Sequence, residues 1–237
     1  TQSNNTATLL DGRIAIITTF NHITGFAQQN SIIRIDSDTY LLAYKLNGNG
    51  GNLKTFTIPA DGSTVTQVAY HNYSSTTSYM YQNDLLQIDA DTYILAYSGH
   101  DATTSYGQHI KTFKVKPDGS SIVQIGELKH DTNYGSNDYS DLVRVDHDTY
   151  ALAYYGYDGG GDNAWGCWIK TFTVNGGSIT QVAKLRHYTS TTSHHSFIKV
   201  DADTYALAWS DANSDGNIST FTIPADGSSI TQAGTLE

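Results

Sequence analysis

"DADTYALAW" occupies residues 201–209, and three near copies precede it: "DSDTYLLAY" at 36–44, "DADTYILAY" at 89–97 and "DHDTYALAY" at 146–154. Their opening aspartates lie 53, 57 and 55 residues apart, a spacing typical of stacked supersecondary units. The copying extends beyond the phrase. A short apolar run comes before it ("SIIRI", "LLQI", "LVRV", "FIKV"), and after a variable stretch come "LKTFTI", "IKTFKV", "IKTFTV" and "ISTFTI". A turn follows ("PADGS", "KPDGS", "NGGS", "PADGS") and leads into "TVTQVAY", "SIVQIGELK", "SITQVAKLR" and "SITQAGTLE".

Each unit therefore reads as four short strands, A to D. In "TYALAY" of strand B alternate residues face opposite ways, so Tyr150, Leu152 and Tyr154 form a bulky face and Thr149, Ala151 and Ala153 a small one. A sheet built this way can nest its small face against the bulky face of a neighbour. Strand C carries Phe56, Phe113, Phe172 and Phe221 at one register, as aromatic filling. Asp in the "DxDT" turn and Gly in the "DG" turn suit tight connections, because Asp bonds nearby backbone and Gly tolerates positive φ.

Four-stranded units at this period imply an all-β fold, a β-propeller of four-stranded antiparallel blades. The unit resembles the WD40 repeat, with a His before strand A, a small-residue strand B and an aromatic near the end of strand C. It departs from that repeat in having Thr-Phe where Trp-Asp would stand and in lacking a Gly-His pair, which places it in a different, bacterial and extracellular lineage. The resemblance implies a fold and no particular function. The chain reads as one domain, 1–237, with a closing hairpin over 1–30 and repeats over about 31–83, 84–140, 141–195 and 196–237. Because "TATLLDGRIAIITTFNH" matches strands C and D, with Asp11-Gly12 at its turn, four full blades plus a hairpin and a five-bladed ring both remain open.

Composition narrows the partners. The net charge of −10 argues against a protein that tracks nucleic-acid phosphates. No apolar run approaches the roughly 18 residues of a membrane span, so no membrane insertion is expected. The single cysteine, Cys167, reads as a small buried hydrophobe. Few lysines, many hydroxyls and a start at Thr1 fit a processed extracellular or cell-surface chain or an excised domain.

Function is expected where the repeats differ. The A–B and C–D turns are nearly constant, whereas the B–C and D–A loops change from unit to unit, and in a meander these two sets lie on opposite edges. A constant scaffold with one diversified edge suits binding. Tyr79, Tyr81, Tyr134, Tyr139, Trp165, His194 and His195 are the candidate ligand-binding residues. Tyr73, Tyr106, Tyr157, Tyr188 and Trp168 add to the aromatic content of these loops. Aromatic faces beside hydroxyls, amides and imidazoles suit a neutral glycan, and equally a surface protein. A polysaccharide hydrolase or lyase working in the central depression is the enzymatic alternative, and no catalytic residue is assigned.

His22, His71, His130 and His187 recur at one place and read as hydrogen-bonded scaffold. The repeated turn acids read as turn formers, since identical turns cannot split two carboxyl pKa values. Arg34, Gln87, Arg144 and Lys199 share a register in strand A, with pairing to the turn aspartates expected. "DANSDGNI" at 211–218 opens like a calcium loop, with Asp211, Asn213 and Asp215 as oxygen ligands, but lacks the later acidic ligand. No other cofactor is implied.

Overall fold

The computed structural model describes residues 17–25, 27–46, 50–74, 80–100, 106–131, 140–158 and 164–236. Four antiparallel sheets follow one another along the chain, each a simple meander. Blade 1 holds β1 (Ala27–Arg34), β2 (Thr39–Leu46), β3 (Gly50–Thr57) and β4 (Thr66–Ser74). Blade 2 holds β5 (Tyr81–Gln87), β6 (Thr92–His100), β7 (Tyr106–Val115) and β8 (Ile122–Asp131). Blade 3 holds β9 (Ser140–Arg144), β10 (Thr149–Asp158), β11 (Ala164–Asn175) and β12 (Ser178–Tyr188). Blade 4 holds β13 (Ser193–Lys199), β14 (Thr204–Ser210), β15 (Gly216–Thr222) and β16 (Thr231–Leu236). The described residues contain no helix. Of the expected closing hairpin, residues 1–16 and the Asp11-Gly12 turn lie outside the described residues, residues 17–25 carry no strand, and Ala27 already begins β1.

The repeated wording maps onto repeated register. Phe56, Phe113, Phe172 and Phe221 pair with Tyr40, Tyr93, Tyr150 and Tyr205. The A–B turns close through the aspartates: Asp89 Oδ1 accepts from the Asp91 and Thr92 amides at 3.1 and 2.9 Å. In the C–D turns Asp61, Asp118 and Asp226 each accept the amide two residues on.

The sheets stack in sequence order by the predicted nesting. Leu41, Ala43 and Leu53 of blade 1 meet Tyr93, Leu95, Tyr97 and Phe113 of blade 2. Ile94, Ala96 and Ile110 meet Tyr150, Leu152, Tyr154 and Phe172 of blade 3. Ala151, Ala153 and Ile169 meet Tyr205, Leu207, Trp209 and Phe221 of blade 4. The inner strands β1, β5, β9 and β13 neighbour one another in that order, and among the described residues the first and fourth sheets share no comparable joint.

Polar groups pin each joint in register. The side chains of Ser31, Asp84 and Asp141 accept the amides of Leu85, Leu142 and Phe197 in the next inner strand. Thr55, Thr112 and Thr171 donate to the carbonyls of Gly119, Gly176 and Gly227 in the next C–D turn, at 2.7, 3.5 and 2.7 Å. A Cβ on Gly227 would stand 2.9 Å from Thr149 Cγ2 at φ +66, so both the close approach and the backbone conformation demand glycine. From the opposite side, Lys111 and Lys170 donate to the carbonyls of Tyr73 and His130 in the preceding blade, at 2.6 and 2.9 Å. Lys54 donates likewise to His22, so residues 17–22 hold the place of a preceding outer strand. Strand-A cations also cross backwards: Arg144 reaches Gln87 O and Ile88 O, and Lys199 reaches Val145 O. The expected pairing of these cations with turn aspartates is corrected, because carbonyls at the inner strand ends lie closer than the exposed carboxylates.

Thr171→Val removes a hydroxyl that donates to Gly227 O and also accepts the Ala183 amide. It should cost about 1–3 kcal/mol of unfolding free energy, the usual penalty for stranding buried polar groups. Thr220→Val, at the same register in blade 4 but with no turn glycine to reach among the described residues, should cost markedly less. Urea denaturation of the two variants checks the difference.

Candidate functional site

The variable edge is built most fully at the joint of blades 3 and 4. Trp165, at the start of β11, pairs across the ladder with Tyr157, and Cys167 pairs with Tyr155. Tyr155 stacks on Trp165 at 5.9 Å and 27°, and Tyr157 tilts against it at 5.5 Å. Trp165 remains 40% exposed. Tyr155 Oη lies 3.4 Å from Thr191 Oγ1. Arg186 braces the backbone beneath by donating to Trp165 O and Thr189 O. The result is an aromatic platform with a hydroxyl at its border and a guanidinium supporting its backbone from the opposite face of the sheet.

Beside it, His195 Nε2 lies 3.1 Å from Cys167 Sγ and 2.9 Å from Thr192 Oγ1. Burial pushes the Cys167 thiol up to about 12, despite the hydrogen bond from Thr192. The thiol therefore stays protonated and ties His195 to the blade edge, and it is no nucleophile in this geometry. Cys167 is buried as expected, and it is a hydrogen-bonding group as well. The exposed neighbour His194 sits at φ 55 and its Nδ1 lies 3.0 Å from Ser193 Oγ. Gln29 and Gln82 adopt the same left-handed backbone two residues before Ser31 and Asp84, at a bulge where strand A begins. Such conformations are uncommon for non-glycine residues, and bulges re-aim side chains.

The other predicted residues scatter. Tyr79, Tyr134 and Tyr139 lie outside the described residues. Tyr81 is half-buried, with Lys45 Nζ 5.2 Å from its ring centroid. Trp165 and His195 lie at the same edge, His195 against Cys167 two residues along β11 from Trp165, and His194 is its exposed chain neighbour. Asp211 Oδ1 accepts the amides of Asn213 and Asp215 at 2.8 and 2.9 Å, so this carboxylate shapes its own loop. Among the described residues no three or more His, Cys, Asp or Glu side chains are grouped to hold a metal ion.

Two expectations are corrected. Trp168 and Tyr73 belong to the core rather than to the loop surface: both are buried, Trp168 donates to Gly156 O and Tyr73 to Asn83 Oδ1. His71 is not equivalent to the other recurring histidines. It pairs with Leu53, as Leu128 pairs with Ile110, and Tyr73 takes the ring position against Tyr97 and Phe113. The set at one register, His22, Tyr73, His130 and His187, packs edge-on against the aromatic face of the next blade, and His71, two residues earlier, adds a further edge-on contact with Phe113 at 5.7 Å. Burial holds His130 well below its ordinary value and takes His187 to about 3. Both nitrogens of each ring lack a hydrogen-bond partner among the described residues, so these are neutral packing groups and not the hydrogen-bonded scaffold expected.

Two charged clusters escaped the sequence reading. Asp158, buried at the end of β10, pairs with Lys170 at 3.2 Å and with Lys184; burial opposes its charge, yet the two lysines hold it below the usual carboxylate range. Asp84 and Asp141 sit together on the inner strands. Burial, reinforced by the charge of Asp141, raises Asp84 to about 7, and burial raises Asp141 also. The signal was present in the letters that open strand A: Ser31, Asp84, Asp141 and Ser196 share one register opposite Ala43, Ala96, Ala153 and Ala208. Each carboxylate accepts an amide of the next blade, which makes the pair a joint of the scaffold.

No protein-family model matches the chain, and no curated protein matches it. Solved structures do. A protein from Lactobacillus plantarum aligns with a TM-score of 0.56 and 16% identity over 83% of this chain and 54% of its own. The α-L-arabinofuranosidase Arb93A from Fusarium graminearum, solved with an iminosugar inhibitor, aligns at 0.51 and 12% over 87% and 66%. The Fusarium graminearum enzyme solved with arabinobiose aligns at 0.51 and 13% over the same shares. The chain thus spans between about half and two thirds of the length of these neighbours. At such identities the likeness shows the fold, a β-propeller, and no repeat family is identified.

Asp84 gives a pH signature. Its carboxyl ionises near 3.8 when unfolded and near 7 when folded, so its contribution to stability is complete below 3.8 and is lost as pH rises through that window. Asp84→Asn keeps an acceptor for the Leu142 amide and does not ionise. The stability of the parent relative to this variant should therefore fall steadily between pH 4 and 7, measured by urea denaturation at each pH. Parallel profiles would show that the carboxyl does not hold its proton in the fold.

Proposed function

We propose that the protein is a non-enzymatic binding module that recognises a carbohydrate through its variable edge, centred on Trp165. The platform of Trp165, Tyr155 and Tyr157 carries this reading. Its rings offer a broad, exposed, pre-ordered apolar face, and Thr191, with Ser193 and His194 further along the chain, supplies hydroxyl and imidazole groups beside it. Pyranose and furanose rings present the complementary combination of C–H faces and hydroxyl rims, and aromatic side chains give large contact area for little conformational entropy. The arabinobiose complex concerns a neighbour that shares the fold alone, so the sugar reading rests on the platform. A surface glycan in an extracellular setting is the intended partner.

A hydrolase is the second reading, favoured by one observation, the Asp84–Asp141 pair with a carboxyl that keeps its proton near neutrality. Against it, both carboxylates already accept backbone amides, and a general acid must be free to reach a leaving group.

Glycan-array screening followed by calorimetry with the best oligosaccharide tests the proposal. Trp165→Ala should weaken binding by about 1–3 kcal/mol, as expected for an aromatic anchor, and leave the unfolding midpoint nearly unchanged. Release of reducing sugar from the bound oligosaccharide would favour the hydrolase. Binding indifferent to Trp165, Tyr155 and Tyr157 would remove the platform from the account.

A further inference from the structure

The three blade joints obey one rule, and the two ends of the stack present its unmatched halves. On blade 4 the small face that is covered in every other blade lies open among the described residues. Ala208 is exposed where Ala43, Ala96 and Ala153 are fully buried, and Ile218 is 49% exposed where Leu53, Ile110 and Ile169 are fully buried. Ile198 and Val200 are 57% and 59% exposed, although their counterparts Val143 and Val145 pack into the next blade. Ser196, at the register of Asp84 and Asp141, has no hydrogen bond to a following amide among the described residues.

On blade 1 the opposite face is half covered. Phe20 and His22 lie on Phe56 and Tyr44 at 6.0 and 4.8 Å, where a preceding outer strand belongs. The inner half has no such cover among the described residues: Ile32 is 56% exposed, whereas Leu85, Leu142 and Phe197 at its register are buried. Arg34 stands at the place of Arg144 and Lys199, which reach back to the preceding blade. It turns instead to its own turn, donating to Asp36 O and Ser37 O at 2.7 and 2.8 Å.

We propose that the open flank of blade 4, together with the inner half of blade 1, is a docking surface for one β-hairpin with the chemistry of strands A and B, supplied by a partner segment carrying another repeat of this wording. A whole blade does not fit, because residues 17–22 already occupy the outer place on blade 1. A hairpin does fit. Its tyrosine face would cover Ile198, Ala206, Ala208 and Ile218, as Tyr150, Leu152 and Tyr154 cover blade 2. Its strand-A Arg or Lys would reach the carbonyls at the end of β13, as Arg144 reaches those at the end of β5. Its Ser or Asp would accept the Ile32 amide, as Ser31 accepts that of Leu85. An apolar face of this kind, rimmed by half-used hydrogen-bonding groups, marks an interaction site, and the mode is pairing by edge and face rather than capture of a helix.

The probe is a fluorescent synthetic peptide of residues 140–158, which carries Asp141, Arg144 and the Tyr150–Tyr154 face. The intact chain should capture it saturably by fluorescence anisotropy, and a peptide with Tyr150, Leu152 and Tyr154 replaced by Ser should not bind. Ala208→Asp and Ile198→Lys change exposed positions, so both variants should fold by circular dichroism. Each should weaken capture by about tenfold or more, since an unpaired charge would be buried at the joint. Absence of capture, or capture untouched by both substitutions, overturns the proposal. So does a chain that already self-associates by light scattering and is dispersed by Ala208→Asp, since a second copy then covers the face.

Discussion

The hydroxyl of Thr171 spans 2.7 Å to the carbonyl of Gly227, and behind it the alanines of one sheet lie against the tyrosines of the next. The two features depend on each other. Small residues bring the sheets close enough for a threonine to reach a neighbouring turn, and only glycine at that turn leaves room for the threonine. At the first and third joints the threonine reaches its carbonyl at 2.7 Å and at the second at 3.5 Å, and at all three dispersion attraction accrues where tyrosines meet alanines. The polar groups contribute less to net stability than to register. They fix how far one sheet slides past the next, and so where the loop edges of adjacent blades come together.

That register explains how the candidate site forms. Trp165, Tyr155 and Tyr157 belong to blade 3, whereas Thr191 and Thr192 belong to the connection into blade 4 and His194 and His195 to the start of β13. Neither set alone makes a rimmed platform. The joint between Ala153 and Leu207 holds them in line, and the bond from Thr192 to the buried thiol fastens the connection to the blade edge. A diversified edge on a repeated scaffold can in this way be built across units without disturbing the core of either.

Much of this was legible in the letters, and what was not has physical reasons. The period, the four strands, the phenylalanine register and the bulky and small faces all follow from alternation, which holds strictly in β structure. The equivalence of His71 with the other histidines failed because blade 1 reaches its ring position two residues later than alignment on His implies. The acceptor role of Asp84 and Asp141 was hidden because a lone polar letter at a strand start looks like a loop residue until its partner in the next sheet is known. Lysine, as in "LKTFTI" and "IKTFKV", is a residue type ordinarily found in solvent. It is instead nearly buried, with its ammonium above a tyrosine ring and bonded to a carbonyl of the preceding blade. Loop residues such as Tyr155 earn a role only through a three-dimensional neighbour, and no pattern in one chain announces that.

One departure from the repeat bears on how such a chain can change over generations. In blades 1 to 3 a buried lysine lies near the ring of a tyrosine, Tyr44, Tyr97 or Tyr154. Blade 4 has Ser219 and Trp209 instead, and the indole N–H donates to the serine hydroxyl at 3.2 Å. The two solutions do not mix well. Lysine beside tryptophan would leave the indole donor without its acceptor, and serine beside tyrosine would strand the carbonyl that the ammonium serves. Passage from one pairing to the other is therefore a coupled step across two adjacent strands, with a less stable intermediate whichever residue changes first. A repeat array of this design should diverge by exchanging matched pairs, and its history should be recorded in correlated changes between strands B and C.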